Sequence, residues 1–317
     1  MSHEVETMAY ANQVPWHGLG ARVDQDVTVP AMLKAAGLDW PVELLPLKAT
    51  RTDGVDITVK DRFALVRETD NRVLTITGKS WHPLQNADCL GFMKDYVEAG
   101  GATLETAGSL RDGKIIWGLA KLKHSFEARK GDKVEGYLLI TSPHEVGKAI
   151  TIRTTTVRVV CANTMAMANS ASTVDYSQNH LSDFNVKAAK EAIGNAHEQL
   201  GEAENRAKTL AKFKINLEDA VRKVIVPAVM PEVAKSDLYD QILLPENQPK
   251  TLQQIIDSLN NAPGADPKTG WGVLNGVTHW ADHVAGRDQA ARLHRAWVGD
   301  TARAKQRTEA ALMELAA

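Results

Sequence analysis

The stretch that decides the fold is residues 111–122, RDGKIIWGLAKL. The turn-forming pair Asp112 and Gly113 precedes a run of apolar and β-branched residues, which predicts a hairpin followed by a strand. Two further strands are predicted downstream, over Val134–Thr141 and Ala149–Val160. Because about a dozen residues is long for one strand, we expect a bend within the second of them.

The residues upstream of this stretch also favour strands, with helices between them. Apolar and polar residues alternate over Val55–Val59, and Phe63–Arg67 and Val73–Thr77 flank turn-forming residues, which predicts a hairpin. A short helix is predicted over Val29–Ala36, ending at a glycine, and a crossing helix from Asn86 to about Ala99.

The second half of the chain has helical periodicity. Apolar residues recur at helical spacing over Asp183–Lys212, which predicts one long amphipathic helix. Further helices are predicted over Leu252–Leu259, Trp271–Trp297 and Thr301–Leu315. The fold class is therefore α+β: a hairpin-rich antiparallel sheet with a crossing helix, followed by an α-helical C-terminal half. We predict a β-rich domain over residues 1–180 and, over 181–317, a helical region that packs on it or mediates self-association.

The composition excludes several classes of protein. With 317 residues and a net charge of -2, the chain is long enough for a sizeable core and is not polycationic as a whole. No run of about 18 apolar residues occurs, so no membrane partner is expected. Cys89 and Cys161 each stand alone, which indicates reduced core residues and predicts a cytoplasmic protein.

Positive charge is concentrated in one segment. From Arg111 to Arg158 there are ten basic and five acidic residues, a local charge of +5. Clustered cations neutralise phosphates, and aromatic side chains stack on unpaired bases, so this segment is a candidate nucleic-acid surface. The alternative is a set of solvated hairpins with core aromatics. The predicted contact residues are Arg111, Lys114, Lys121, Lys123, Arg129, Lys130, Arg153, Arg158, Trp81 and Trp117.

Two of these arginines lie in one predicted strand. Arg153 and Arg158 are five positions apart, so an unbroken strand places them on opposite faces. At least one is then expected to point toward a core-side layer, where it needs an acidic partner. A bend at the intervening threonines would instead bring both arginines to one face.

Catalytic and metal-binding patterns are weak. His279 and His283 share one helical face beside Asp282, but no third ligand is evident, so no metal or cofactor is predicted. His82 follows Trp81 and precedes a proline, without a neighbouring acid or nucleophile in sequence. Since no nucleotide-binding loop or nucleophile elbow occurs either, the chain is more typical of a non-enzyme.

Several strings resemble those of a known family. They are Phe63–Arg67 with Gly78–Asn86, Thr106–Arg111 with Val157–Thr164, and Trp271–Arg287. Together they resemble the phage/plasmid-like family described as a domain of unknown function. The resemblance implies a mobile-element origin and a bacterial host cytosol, and it brings no activity with it.

Two functions follow as hypotheses. The first is a mobile-element DNA-processing protein that binds single-stranded DNA, with annealing or recombination as its role and a homo-oligomer as its form. Its architecture is similar to that of phage single-strand annealing proteins, an analogy at the level of fold alone. The alternative is a protein-interaction or host-takeover module that binds a host protein and no nucleic acid.

Overall fold

The computed structural model describes residues 4–15, 17–98, 101–156, 174–194, 196–237, 239–242, 244–262, 264–286 and 300–317. Within them the chain forms two compact units. The first comprises His3–His124 and Glu135–His197, and the second comprises Ser125–Val134 and Glu198–Ala317. No helix within these ranges is long and apolar enough to span a bilayer.

The described strands form two sheets. They are β1 (Val5–Tyr10), β2 (Ala21–Arg22), β3 (Val42–Thr50), β4 (Asp56–Arg67), β5 (Arg72–Gly78), β6 (Ala102–Leu110), β7 (Ile115–Arg129), β8 (Asp132–Pro143), β9 (Ile150–Thr155) and β10 (Tyr176–Gln178). The larger sheet has seven strands in the order β10-β9-β8-β7-β6-β1-β2, and the smaller sheet has the order β3-β4-β5. Pairing is antiparallel between β1 and β6, β6 and β7, β8 and β9, β9 and β10, β3 and β4, and β4 and β5, whereas β1 makes a short parallel contact with β2.

The turn that joins β6 to β7 has the conformation that its sequence requires. Arg111, Asp112 and Gly113 all have positive φ, at 53°, 57° and 84°. Asp and Gly tolerate the left-handed region better than most residues, which is why this pair favours a hairpin. The strand that follows is central, and burial on both faces explains its nearly continuous apolar run.

The first unit has its core on the larger sheet. Trp117 and Leu119 of β7 pack with Met8, Leu110 and Leu139 from neighbouring strands. The described helices of the chain are α1 (Val29–Ala35), α2 (Asn86–Gly91), α3 (Lys94–Glu98), α4 (Val186–Gly194), α5 (Ala196–Lys212), α6 (Leu217–Asp219), α7 (Val226–Val229), α8 (Pro231–Ala234), α9 (Tyr239–Ile242), α10 (Lys250–Asn261), α11 (Gly270–His279) and α12 (Asp300–Ala316).

The second unit is mainly helical and has a core of its own. Val224, Ile255, Val273, Val277 and Leu312 are buried together in it. Two stretches, Ala220–Ile225 and Trp280–Val284, are π-helical, a rare conformation that widens the helix locally. The tip of the β7–β8 hairpin belongs to this unit, where Phe126 and Ala128 pack against Ala207.

These observations confirm the α+β prediction, with hairpins in the first half and helices in the second. Three predicted elements have other bounds or lie partly outside the described residues. The crossing helix consists of two short helices, α2 and α3, rather than one. The long helix is described as α4 and α5, with residue 195 outside the described residues. The strand predicted over Ala149–Val160 is described as β9 only to Thr155, and the chain bends at Thr156, within the threonines where a bend was expected. Residues 157–173 lie outside the described part.

Candidate functional site

The two tryptophans predicted to stack on bases are buried. Trp117 is 0% exposed, and its Nε1 donates a hydrogen bond of 3.2 Å to Thr106 Oγ1 within the core. Trp81 is 8% exposed and stacks on His180, with ring centroids 4.2 Å apart. Neither ring is therefore available to a nucleic acid, because the sheet and the His180 ring already cover them.

Some basic side chains of the first unit form ion pairs with carboxylates, and others do not. Arg111 Nε lies 2.7 Å from Glu4 Oε2, and Lys121 Nζ lies 2.6 Å from Glu135 Oε1. Lys123 is exposed and Lys114 is half-buried. Since an ion pair neutralises part of the cation's field, Lys123 has more charge to offer a phosphate than Lys121 has.

Arg129 and Lys130 belong to the second unit. Arg129 lies between two carboxylates, with its Nε 3.8 Å from Asp132 and its Nη1 3.6 Å from Asp266. Asp132 also accepts a 2.7 Å hydrogen bond from Trp271 Nε1, which anchors the hairpin tip. Lys130 is exposed. The predicted contact residues are therefore distributed over both units.

Arg153 lies on β9 and is half-buried. Burial lowers the pKa of its guanidinium, and the nearby carboxylate of Asp175 opposes that effect. This agrees with a core-side arginine beside an acid, the interpretation that strand geometry favoured. Arg158 lies outside the described residues, as does Cys161.

The histidine pair of the second unit has structural partners. His279 Nδ1 lies 3.2 Å from Ser258 Oγ, and its ring centroid is 5.0 Å from that of His283. Burial, followed by the proximity of His283, lowers the pKa of His279. Asp282 forms a buried ion pair with Lys305 at 2.8 Å. Among the residues that the structure describes, no three His, Cys, Asp or Glu side chains group closely enough to hold a metal ion.

A cleft in the first unit brings together residues that are distant in sequence. It has a volume of about 560 Å³. His82 Nδ1 lies 2.9 Å from Asp183 Oδ1, so a carboxylate orients the imidazole at the cleft. Such a pairing leaves Nε2 as the remaining site for proton exchange or hydrogen bonding with a ligand. The other lining residues are Pro83, Leu84, Asp88, Gly91, Phe92, Ile150, Ser182, Phe184, Val186 and Lys190.

A layer of buried polar side chains adjoins this cleft through His180. His180 Nδ1 lies 3.1 Å from the His82 carbonyl oxygen. Close by, His144 Nε2 lies 3.0 Å from Asn86 Oδ1, and the Asn86 amide donates to the carbonyls of Leu38 and Trp40. Burial lowers the pKa of His144 to about 3, with a smaller contribution from His180. His144 is therefore neutral at physiological pH.

The buried His144 makes stability depend on pH. Its pKa is about 3 in the folded chain and 6.5 when unperturbed, so the unfolded state binds the extra proton between these values. Its contribution is complete above pH 6.5 and is lost as pH falls toward 3. Urea unfolding should show about 2 kcal/mol less stability at pH 5 than at pH 7.5. In His144→Gln this part of the slope should vanish; an unchanged slope would contradict the assignment.

Sequence inspection missed Asp183 as the partner of His82. The two residues are 101 positions apart, and no acid neighbours His82 in the chain. The only local signal was the string Trp81-His82-Pro83 between a strand and a helix. The pairing depends on the segment after β10, and only folding brings that segment to the start of α2.

One comparison with known proteins found a match. A family model described as a domain of unknown function (DUF932) matches residues 73–312. This range includes both sides of the cleft and the whole basic segment. Comparison with curated proteins and comparison with solved structures found no match.

Proposed function

We propose, from the premise that this chain belongs to the DUF932 family of unknown function, that the protein binds single-stranded DNA and serves DNA annealing or recombination. A mobile element is its proposed origin, and a bacterial host cytosol its proposed location. One observation carries the proposal: ten basic and five acidic residues between Arg111 and Arg158, in a chain of net charge -2. Phosphate binding depends on such a local excess of cations.

The exposed lysines support this proposal better than the paired cations do. Lys123 and Lys130 are exposed, Lys114 is half-buried, and none of the three has an acidic partner within the described residues. Arg111, Lys121 and Arg129 are engaged with carboxylates. Backbone capture is therefore assigned mainly to the lysines, each of which would contribute one phosphate contact in its own unit.

The cleft offers an aromatic ring for base stacking, which the buried tryptophans cannot provide. Phe184 lines it, and the rings of Phe92 and Tyr176 lie nearly perpendicular to that of Phe184, with centroids 6.0 and 6.1 Å away. Such contacts restrain an aromatic ring on which a base can stack. The carboxylates of Asp88 and Asp183 can accept hydrogen bonds from base amino groups. We assign the cleft to one unpaired base.

Reversing the charge of the exposed lysines should weaken DNA binding. Lys123→Glu and Lys130→Glu are each expected to lower the affinity for a labelled single-stranded oligonucleotide about tenfold at low salt. Each change should also reduce the slope of log affinity against log salt concentration by about one, because one phosphate contact is lost. Fluorescence anisotropy titrations at several salt concentrations measure both quantities.

The matched control is Lys235→Glu, an exposed lysine outside the basic segment, which should bind like the wild type. Equal losses in all three variants would mean a general charge effect and would contradict a local surface. If the wild type does not bind at low salt, the proposal fails. A host protein partner, sought by pull-down from nuclease-treated lysate, would then be the function to test.

The role of the cleft is tested separately with the same assay. Phe184→Ala should weaken binding of an ordinary oligonucleotide several-fold, since base stacking contributes about 1–3 kcal/mol. Binding of an abasic oligonucleotide of equal length should be unchanged, because its phosphates remain. An equal loss of affinity for both oligonucleotides would contradict base binding in the cleft. It would not contradict phosphate binding by the lysines.

A further inference from the structure

The small sheet has an exposed apolar face. Leu45 of β3, Ile57 of β4 and Val73 and Ile76 of β5 are 41%, 50%, 53% and 51% exposed. The strand register places Leu45 beside Ala64 and Ala64 beside Ile76, so these side chains share one face. We define the outer face as Leu45, Leu47, Ala49, Val55, Ile57, Val73 and Ile76.

The opposite face of this sheet is the one that packs inside the first unit. Leu65 is 0% exposed, and its register neighbours are Leu44 and Thr75. A sheet with one face on the core ordinarily alternates apolar and polar residues, so that the solvent side is polar. Here the solvent side also carries several exposed apolar residues, with Glu43 at one end of them. Contiguous apolar patches of this kind mark interaction surfaces.

The far end of the β3–β4 hairpin is exposed on both faces. Between Lys48 and Arg62 every residue except Val59 is exposed, and β5 pairs only with the nearer part, Arg62–Arg67. A two-stranded ribbon without a covered face is only marginally stable in water. The hairpin therefore gains most from a partner that covers its apolar face.

Charge argues that the partner is not a nucleic acid. From Lys48 to Arg62 there are four cations and three anions, a net charge of 4 - 3 = +1. Lys48 lies 3.9 Å from Asp56, and Arg51 lies 3.3 Å from Asp53. A phosphate backbone or an anionic bilayer requires uncompensated cations. Two identical copies of this nearly neutral hairpin would repel each other little, because the charges of each copy are paired within it.

We propose that the outer face is a self-association surface that packs on the same face of a second copy of this chain. Two sheets can pack face to face about 10 Å apart, with apolar side chains interleaved. Three strands abreast over about six residues, continued by two strands at the far end of the hairpin, give roughly 400 Å² of face. This is about half the usual contribution of one partner to a standard interface. The dimer is therefore weak and depends on concentration.

The long predicted helix, for which internal packing and self-association were both open, buries apolar residues of α5 internally. Leu200, Ala207 and Leu210 are 2%, 3% and 1% exposed. Ala207 packs on the β7–β8 hairpin tip, and Leu210 is part of the helical core. These residues of α5 thus serve its own unit.

The test uses two neighbouring positions on β4 that point to opposite faces. Ile57 is on the outer face, whereas Thr58 pairs with Lys48 on the other. Sedimentation velocity of the full chain, over roughly a hundredfold range of concentration, should show dimer formation that high salt does not weaken. Ile57→Glu should raise the dimer dissociation constant at least roughly tenfold, and Thr58→Glu should leave it nearly unchanged.

Several results would overturn the proposal. They are a wild type that stays monomeric at every concentration, equal effects of Ile57→Glu and Thr58→Glu, and a dimer that disappears after nuclease treatment. Circular dichroism shows whether each variant is folded. If Ile57→Glu does not fold, Val73→Lys on the edge strand β5 provides the same test.

Discussion

Replacing Arg67 with alanine should lower the free energy of unfolding by about 3 kcal/mol, because it leaves the largely buried Glu6 carboxylate without its closest and only buried cation partner among the described residues. The Arg67 side chain is 8% exposed, with Nη1 2.9 Å from Glu6 and Nη2 2.6 Å from Asp70. Its guanidinium also lies over the Trp40 ring, 5.0 Å from the centroid. The side chain thus joins β4 of the small sheet to β1 of the large one.

The rest of this network depends on the same arginine. Ser109 donates a 2.9 Å hydrogen bond to Glu6, so the carboxylate is held in place even when its cation is removed. The hydrogen bonds from Arg67 lower the pKa of Asp70 to about 2. Stabilisation through Asp70 is therefore present above pH 4 and is lost as pH falls toward 2.

Arg72→Ala is the matched control for Arg67→Ala. Arg72 lies 3.5 Å from the same Glu6 oxygen, but its side chain is 42% exposed. Exposed ion pairs contribute at most about 1 kcal/mol, so its removal should cost less than that. Urea unfolding followed by far-ultraviolet circular dichroism measures both. Equal costs for the two arginines would mean that burial of Arg67 adds nothing.

Gly108→Ala should destabilise the first unit by about 3 kcal/mol, at the upper end for an overpacked core. A Cβ at this position would overlap Trp117 Cη2 and would lie 2.5 Å from the Thr7 carbonyl oxygen and 2.7 Å from Met8 Cβ. Gly108 and Trp117 are register partners on β6 and β7. The tryptophan ring lies over the glycine and cannot move without displacing the core.

Gly118→Ala separates this steric effect from the general effect of losing a glycine. Gly118 follows Trp117 on the same central strand, but its Cβ would meet Ile140 and Leu90 at 3.4 Å, an ordinary contact distance. We expect a change below about 1 kcal/mol, of either sign, since alanine also restricts the unfolded chain. If Gly108→Ala is as mild as Gly118→Ala, the close approach of Trp117 to the backbone is wrong.

Local signals predicted the elements well where the conformation depends on neighbouring residues alone. The turn at Asp112 and Gly113, the β4–β5 hairpin and the helix that ends at Gly37 all occur where the sequence indicates. The predicted ends of elements were wrong where the sequence holds no stop signal. The prediction of one helix over Asn86–Ala99 missed its division into α2 and α3.

The candidate site was harder to predict because exposure is a tertiary property. An apolar run such as that around Trp117 fits a strand buried on one face or on both, and only the neighbouring strands decide between them. The sequence around Trp81 likewise does not show whether its ring is exposed, and only the structure places His180 stacked on it. The local excess of cations that includes Lys123 and Lys130 is visible in the sequence, because charge density does not depend on the fold, but the exposure of these two lysines is not.

The amino-acid sequence by itself determined the α+β class, the hairpin turns, the helical second half and the local excess of positive charge, since turn chemistry, periodicity and charge are properties of near neighbours. Only the tertiary structure decided which tryptophans are buried, that Asp183 orients His82 in a cleft, and that the outer face of the small sheet stays exposed. Each of these depends on contacts between residues far apart in the chain, which no local pattern encodes.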